Sequence, residues 1–316
     1  MKDKFKKINI SEFGSLIALI ALVIGISLLS KNFATVGNFL SLLRQSSING
    51  LIAFGMTLVI LTGGIDLSVG SILAFTTAIA AKLILMGITS PLAILIALLL
   101  GAIFGLITGF IITKGRIQPF IATLISMTVF RGLTLIFSNG KPISGVTRGD
   151  DFSAAFLTFV GKGTILGVPT PVWILIIVFI VLYFLLNNTT YGRKIYSTGS
   201  NEKAAALAGI NTIRTKMSVY AISGFMSALA GIILLSRLGS AQPTLGSGYE
   251  LDAIAAGALG GISLSGGRGK ITGTLIGILI IAVLNNGLNI IGVSSYYQDV
   301  IKGLVILIAV LSDKER

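Results

Sequence analysis

Ionisable side chains are scarce within the apolar stretches of this chain, and the few that occur there are the first candidates for chemistry. They are Asp66, Lys82, Arg131, Asp252 and Lys302. Charges within membrane-length apolar sequence mark pathways, gates or internal ion pairs. The chain has no His and no Cys, which excludes imidazole acid–base chemistry, thiol nucleophiles and Cys/His metal sites. We therefore expect no catalytic set, no metal site and no cofactor.

Each charge has a structural role as an alternative to a functional one. Lys82, Asp252 and Lys302 lie near the ends of apolar segments, and Lys82 can reach polar surroundings from there. Asp66 can cap the following helix by accepting backbone N–H bonds, or it can act in gating or substrate contact. Arg131 is the deepest charge and either pairs internally or lines a path. Because the sequence indicates neither a buried carboxylate pair nor a His relay, proton-coupled transport is disfavoured.

Neutral polar side chains within the apolar segments could contact the hydroxyls of a neutral substrate, or could join helices to one another. They are Asn49, Thr57, Ser126, Thr128, Asn285, Asn286 and Asn289. With Asp66, Ser68 and Arg131, the three asparagines Asn285, Asn286 and Asn289 are our candidates for pathway or gating residues.

A glycine-rich motif interrupts the apolar sequence twice. It reads GGIDLSVG at 63–70 and GGISLSGG at 260–267, 197 residues later, with six of eight positions identical. A break in a helix inside the lipid bilayer is costly, because the backbone N–H and C=O groups that it frees need hydrogen-bond partners. Its recurrence in both halves predicts a duplicated transport unit with broken segments near a pathway, and a chance match is the alternative. Asp66 against Ser263 is the main difference between the copies.

The second motif runs into Lys270 and resembles a phosphate-binding loop only superficially. That loop requires a glycine five residues before the Gly-Lys pair and a Ser or Thr after it. Leu264 and Ile271 occupy those positions. The chain is therefore not expected to hydrolyse ATP, and energy must come from a partner or an ion gradient.

Composition places these motifs in a membrane. Of 316 residues, 54% are hydrophobic and 11% charged, against about 25% charged in soluble domains. We predict a single all-α polytopic membrane domain over 1–316 with about ten transmembrane segments, some broken or re-entrant. They are 14–30, 48–62, 69–86, 91–113, 119–138, 172–187, 217–236, 251–264, 271–291 and 300–311.

Two of these segments, 48–62 and 251–264, are short for a crossing of about 20 residues and end at the glycine motifs. Either could be a half-helix or part of a re-entrant hairpin. The 197-residue offset predicts a parallel pseudo-repeat of 48–113 and 251–311. Within the helices, glycines at four-residue spacing favour close packing. They are Gly101, Gly105, Gly109, Gly273 and Gly277.

The net charge of +13 arises from Lys and Arg between the spans, so we predict an orientation in the membrane rather than nucleic-acid binding. Both termini and the loop 188–216 are expected in the cytoplasm, and the segment 139–171 outside. The N-terminus resembles a signal peptide but lacks a cleavage site, which favours a retained first span. The basic terminal residues are Lys2, Lys4, Lys6, Lys7, Lys314 and Arg316.

The loop 188–216 contains a predicted short helix. Ser200 can cap it, with Lys203 at the position where a capping box has Glu, and Gly209 can end it. The helix is either an ordinary juxtamembrane helix or a docking element for a cytoplasmic partner.

These features together resemble the permease subunits of ABC importers, and their sugar branch in particular. Ala204, Ala205 and Gly209, preceded by Asn201 and Glu202, resemble the EAA coupling loop, although the proline that often ends that pattern is missing at 213–215. Both glycine motifs resemble signatures of the sugar branch. The resemblance continues through PFIATL (119–124), FRGLT (130–134), AQPT (241–244) and NNGLN (285–289), from about residue 38 to the end.

The resemblance implies a homodimeric bacterial inner-membrane permease that carries a monosaccharide, ribose first, into the cytoplasm. It implies a cytoplasmic ATPase on the coupling residues 201–209 and an extracytoplasmic sugar-binding protein. Galactose, xylose, nucleosides or a signalling furanoside are alternative substrates. An ion-coupled secondary carrier that works alone is the alternative mechanism.

Overall fold

The computed structural model describes residues 10–148 and 151–313. The predictions made for the remaining residues lie outside this range. They concern Lys2, Lys4, Lys6 and Lys7 at one end, Asp150 in the predicted outer segment, and Lys314 and Arg316 at the other end.

Helices dominate the described residues, and each of the ten predicted apolar segments contains one. The helices are α1 (Ile10–Leu29), α2 (Val36–Leu61), α3 (Val69–Leu85), α4 (Ser90–Gly115), α5 (Pro119–Ser138), α6 (Phe152–Lys162), α7 (Thr170–Asn188), α8 (Thr190–Ser200), α9 (Glu202–Leu207), α10 (Thr212–Leu238), α11 (Tyr249–Leu259), α12 (Ile271–Ile290) and α13 (Ser295–Asp313).

Five of these helices are long and apolar enough to cross a membrane: α4, α5, α7, α10 and α12. Large apolar side chains on α4, α5 and α7 are exposed, as Leu99, Phe120 and Ile177 illustrate. Such faces suit lipid rather than water. The prediction of an all-α polytopic membrane protein is therefore confirmed, whereas the number of spans stays a prediction.

Helix α2 is longer than predicted. It begins at Val36, where Thr35 caps it, and continues for 26 residues to Leu61. The apolar run begins only at Ile48 because Arg44 and Gln45 interrupt it. At about 1.5 Å per residue, α2 is about 39 Å long. A half-helix would be much shorter, so the length of α2 does not support that alternative. Helix α11 has only 11 residues.

Close helix packing at glycines is confirmed. A methyl group on Gly101 would lie 2.6 Å from the Gly224 carbonyl oxygen of α10, and one on Gly109 would lie 2.9 Å from the Met217 Cα. Gly105 approaches the Tyr220 carbonyl in the same way. On α12, Gly273 and Gly277 approach the backbone of Gly260 and Ala256. Helix α10 thereby packs against α4, and α12 against α11.

The segment 139–171 is more structured than the sequence predicted. Strand β1 (Ile143–Ser144) pairs antiparallel with β4 (Ser240–Ala241), and β2 (Thr164–Ile165) pairs with β3 (Val168–Pro169). Helix α6 lies between β1 and β2, and its Gly161 N–H donates to Ser236 Oγ of α10 at 2.9 Å. These contacts attach the segment to the end of α10.

Candidate coupling and pathway sites

Helix α9 is the predicted short helix of the 188–216 loop, but its N-cap is Asn201 and not Ser200. The Asn201 Oδ1 accepts from the Ala204 N–H at 3.0 Å, whereas Ser200 belongs to the end of α8. Since the cap lies one residue later, the position of a capping-box Glu falls on Ala204 rather than Lys203. Gly209 ends the helix as predicted, with φ of +83°.

Helix α9 exposes one large apolar side chain. Leu207 is 90% exposed, whereas Ala205 is buried against the rest of the chain. The Glu202 Oε2 lies 2.6 Å from the Lys216 Nζ, which ties the start of α9 to α10. Helix α9 is therefore held at its base and presents Leu207 outward.

The residues just before α9 lie between the two glycine motifs. Gly199 touches the Leu61 carbonyl so closely that it has no room for a side chain. The Gly267 N–H donates to the same carbonyl at 3.0 Å. A methyl on Gly266 would lie 2.8 Å from the Gly63 nitrogen, and one on Gly267 would lie 2.7 Å from the Ser200 Cα. Residues 199–200, the end of α2 and the second motif thus form one contact with Gly63 of the first motif, which we call the glycine junction (residues 61–63, 199–200 and 266–267).

Both motifs end a helix with the same turn. Gly63 N–H donates to the Ile60 carbonyl and Gly64 N–H to Val59, while Gly261 N–H and Ile262 N–H donate to Ala258 and Gly257. These are Schellman bonds. Gly63 and Gly261 share a φ of +79°, so the two helix-ending turns are 198 residues apart. The eight-residue sequence match pairs positions 197 residues apart, one fewer. The pseudo-repeat of whole segments stays a prediction.

Tyrosines of α8 fix this helix against the second motif and against α10. Tyr196 OH donates to the Gly269 carbonyl at 2.9 Å, and Tyr191 OH lies 2.6 Å from Ser218 Oγ. Burial raises the pKa of both phenols, and the Ser218 hydrogen bond partly offsets this for Tyr191. Both hydroxyls therefore stay protonated at neutral pH, so Tyr196 remains a donor.

Asp66 is buried and fully engaged. Its Oδ1 accepts from the Ser68 N–H at 3.0 Å and from the Ser68 hydroxyl at 2.5 Å, and its Oδ2 accepts from Ser223 Oγ at 2.9 Å. Asp66 thus accepts the backbone N–H of Ser68, the N-cap residue of α3, and its role in gating or substrate contact stays a prediction. This arrangement binds the first glycine motif to α10.

Arg131 pairs internally with backbone. Its Nη1 donates to the carbonyls of Pro243 and Leu245 at 2.7 and 2.8 Å. Both acceptors belong to the connection between β4 and α11. Arg131 therefore holds that connection against α5, and a role along a transport path stays a prediction.

Asn286 and Asn289 join structural elements. Asn286 exchanges two hydrogen bonds of 2.9 Å with Asn38 of α2, and Asn289 Oδ1 accepts from Gln298 of α13 at 2.9 Å. Asn285 differs, because its buried Oδ1 has no hydrogen-bond partner. It lies beside Asp252, which the sequence placed near a span end but which is only 7% exposed. Sequence reasoning missed this association because it joins α11 to α12 by tertiary contact.

Among the described residues, no group of His, Cys, Asp and Glu could hold a metal ion. A predominantly helical domain with apolar outer faces and an exposed connector helix beside its two glycine motifs is typical of transport permeases. The chain belongs to the family described as branched-chain amino acid transport system / permease component, whose profile matches residues 38–310.

The curated relatives that the chain resembles are named as sugar permeases. The chain is 52% identical to the ribose import permease protein RbsC of Escherichia coli K12 over 313 residues, 99% of this chain and 96% of that protein. It is 54% identical to the Bacillus subtilis RbsC over 96% and 93% of the two chains. The D-allose transport system permease AlsC of E. coli is 40% identical over 95% and 90%. No solved structure matches the chain.

Proposed function

We propose that this chain is the membrane-spanning permease subunit of an ATP-driven ABC importer that carries ribose into the cytoplasm. The observation that carries this proposal is the near full-length identity of 50–54% to ribose import permeases of three bacterial species. Identity to the allose and L-arabinose permeases is lower, at 40% and 38%. This difference favours ribose over the other sugars.

The proposed assembly has two copies of the chain, a cytoplasmic ATPase and an extracytoplasmic sugar-binding protein. The exposed Leu207 offers the ATPase an apolar contact, because burying apolar surface on docking is favourable. Among the coupling residues 201–209, Asn201 caps the start of α9 and Gly209 ends it. Glu202 anchors the helix to α10, and Ala204 and Ala205 lie within it. Hydrolysis is assigned to the ATPase and not to this chain.

We place the chain in the bacterial inner membrane as a multi-pass protein of about ten spans with both termini in the cytoplasm. The basic loop 188–216 supports this orientation under the positive-inside rule. Helix α11, with its 11 residues, is the candidate for a broken or re-entrant segment. The common turn at Gly63 and Gly261 supports a parallel pseudo-repeat.

Alternating access is the proposed mechanism, and the glycine junction is its transmission point. Movement of α9 by the ATPase would displace Gly199 and Ser200, which contact Leu61 at the end of α2 and the second motif at once. Because packed backbone cannot deform continuously, a shift there would move α2 and α3 together with α11 and α12. Asp66 and Ser68 would transmit the same shift to α10 through Ser223.

Reconstitution tests this function. Proteoliposomes that contain the chain, its ATPase and its binding protein should take up radiolabelled ribose only when ATP is present. Liposomes with the chain alone and an imposed ion gradient are the control for a secondary carrier. Ribose uptake in that control without ATPase would contradict the proposal, and ATP-dependent uptake of another sugar alone would correct the substrate.

A further inference from the structure

A second group of polar side chains lies at α11, away from the glycine junction. Asp252 Oδ2 accepts from Asn49 Nδ2 of α2 at 3.4 Å, and Asp252 Oδ1 lies 3.7 Å from Lys302 Nζ of α13. Asn285 of α12 faces the same carboxylate. We call Asn49, Asp252, Asn285 and Lys302 the α11 polar cluster. It brings four helices together at one carboxylate.

Two contacts of the Asp252 carboxylate, with Asn49 and with Lys302, are long for charge-assisted hydrogen bonds. Charge-assisted hydrogen bonds are about 2.7–2.9 Å long when optimised, and those of Asp66 lie between 2.5 and 3.0 Å. Asp252 lies 3.4 Å from Asn49 Nδ2 and 3.7 Å from Lys302 Nζ, and Asn285 also hydrogen-bonds to it. In addition, Asn285 is 8% exposed and its Oδ1 has no partner. A buried polar group without a partner is costly and calls for an explanation.

The cluster offers the chemistry that a neutral polyhydroxyl ligand needs. The carboxylate accepts hydrogen bonds, the ammonium donates them, and each amide does both. Lys302 lies between Asp252 and Asp299, at 3.7 and 3.0 Å, so the group carries no excess positive charge that would favour an anionic ligand. The Lys302 side chain is 24% exposed, so the cluster is not sealed within the folded chain.

We propose that the α11 polar cluster is a sugar-contact site, in which hydroxyls of the transported monosaccharide insert between Asp252, Asn49, Asn285 and Lys302. The unpartnered Asn285 Oδ1 would accept one sugar hydroxyl, and Asp252 would accept another in place of its long contacts. This inference rests on the proposed function for the class of substrate.

The site is connected to the coupling machinery through its own helix. Asp252 lies in the first turn of α11, and the same helix ends at the Gly261 turn, next to the second glycine motif. A sugar bound at Asp252 therefore contacts α11, the helix whose other end leads into the second glycine motif and the glycine junction.

The lack of cysteine in the chain allows a direct test. Single substitutions Asn285→Cys and Asn49→Cys each leave the other contacts of the cluster in place. The full chain, assembled with its ATPase in nanodiscs, is labelled with a small water-soluble thiol reagent, with and without millimolar D-ribose. We expect ribose to slow labelling at both positions and to leave Leu166→Cys unchanged, because Leu166 is 89% exposed on the turn between β2 and β3.

A comparison of Asp252→Asn with Asp299→Asn tests whether the protection from labelling by ribose depends on Asp252. Asp299 contacts the same Lys302 at 3.0 Å but its side chain is 74% exposed. In the Asn49→Cys background, which keeps the Asn285 Oδ1 acceptor, Asp252→Asn should weaken ribose protection about tenfold, as loss of roughly one charged hydrogen bond implies. Asp299→Asn should preserve the protection. Equal unfolding temperatures of the two variants establish that the comparison reports binding.

Three results would overturn the site. The first is labelling at positions 49 and 285 that ribose does not slow. The second is no labelling at these positions in a folded complex. The third is undiminished protection in Asp252→Asn. If ATP-dependent ribose uptake is intact in that case, the proposed function stands and only the site fails. Protection by D-allose or L-arabinose but not ribose would support the site and correct the substrate instead.

Discussion

At the scale of single residues, Gly199 makes the sharpest prediction. Alanine there would drive a methyl group into the Leu61 carbonyl, although Gly→Ala within a helix otherwise stabilises by about 0.5–1 kcal/mol. We expect Gly199→Ala to separate ATP hydrolysis from sugar uptake in the reconstituted complex. Gly132→Ala is the matched control, because no atom lies within 4 Å of its added methyl group. Normal coupling in Gly199→Ala would remove the glycine junction from the mechanism.

Asp66 makes the second prediction at this scale. Asp66→Ala leaves Ser68 N–H and the hydroxyls of Ser68 and Ser223 without their acceptor, at about 1–3 kcal/mol for each buried group. Asp66→Asn keeps one acceptor oxygen and can donate to Ser223. We therefore expect a large loss of thermal stability in the alanine variant and near-normal uptake in the asparagine variant. If Asp66→Asn is stable but inactive, the charge itself takes part in transport.

The candidate residues show what the sequence could and could not predict. Asp66 is identifiable from the sequence because it stands just before the apolar run that begins at residue 69, so a capping role can be inferred from local sequence. The Ser223 partner lies 157 positions away and has no local signal. Asp252 was set aside as a residue near a span end, because its contacts with Asn49 and Lys302 exist only after four helices pack.

At the scale of elements, the pair between Glu202 and Lys216 defines how α9 is attached to α10. The Glu202 side chain is 48% exposed, and exposed ion pairs contribute only about 0.2–1 kcal/mol. Glu202→Lys should therefore lower the coupling ratio of uptake to ATP hydrolysis with little change in unfolding temperature. The exchange Glu202→Lys with Lys216→Glu should restore coupling, and Lys203→Ala on the same helix should leave it unchanged. Failure of the exchange to restore coupling would contradict an anchoring role for the pair.

Element boundaries followed the apolar pattern where that pattern was uninterrupted. Helix α5 occupies the predicted 119–138, opened by Pro119 at its first turn. The start of α2 was missed because Arg44 and Gln45 break the apolar run within a continuous helix. Helix α6 was also missed, since its 11 residues are held by contacts with α10 rather than by length or hydropathy.

At the scale of the whole molecule, the orientation of the chain makes the final prediction. Leu207 on α9 and Leu166 between β2 and β3 are 90% and 89% exposed, and the basic loops assign them to opposite sides of the membrane. Since the chain has no cysteine, Leu207→Cys and Leu166→Cys each carry one thiol. An impermeant reagent should label Leu166→Cys in right-side-out vesicles and Leu207→Cys in inside-out vesicles. The reverse result would place α9 outside the cell, away from any cytoplasmic ATPase, and labelling of both from one side would contradict the span arrangement between them.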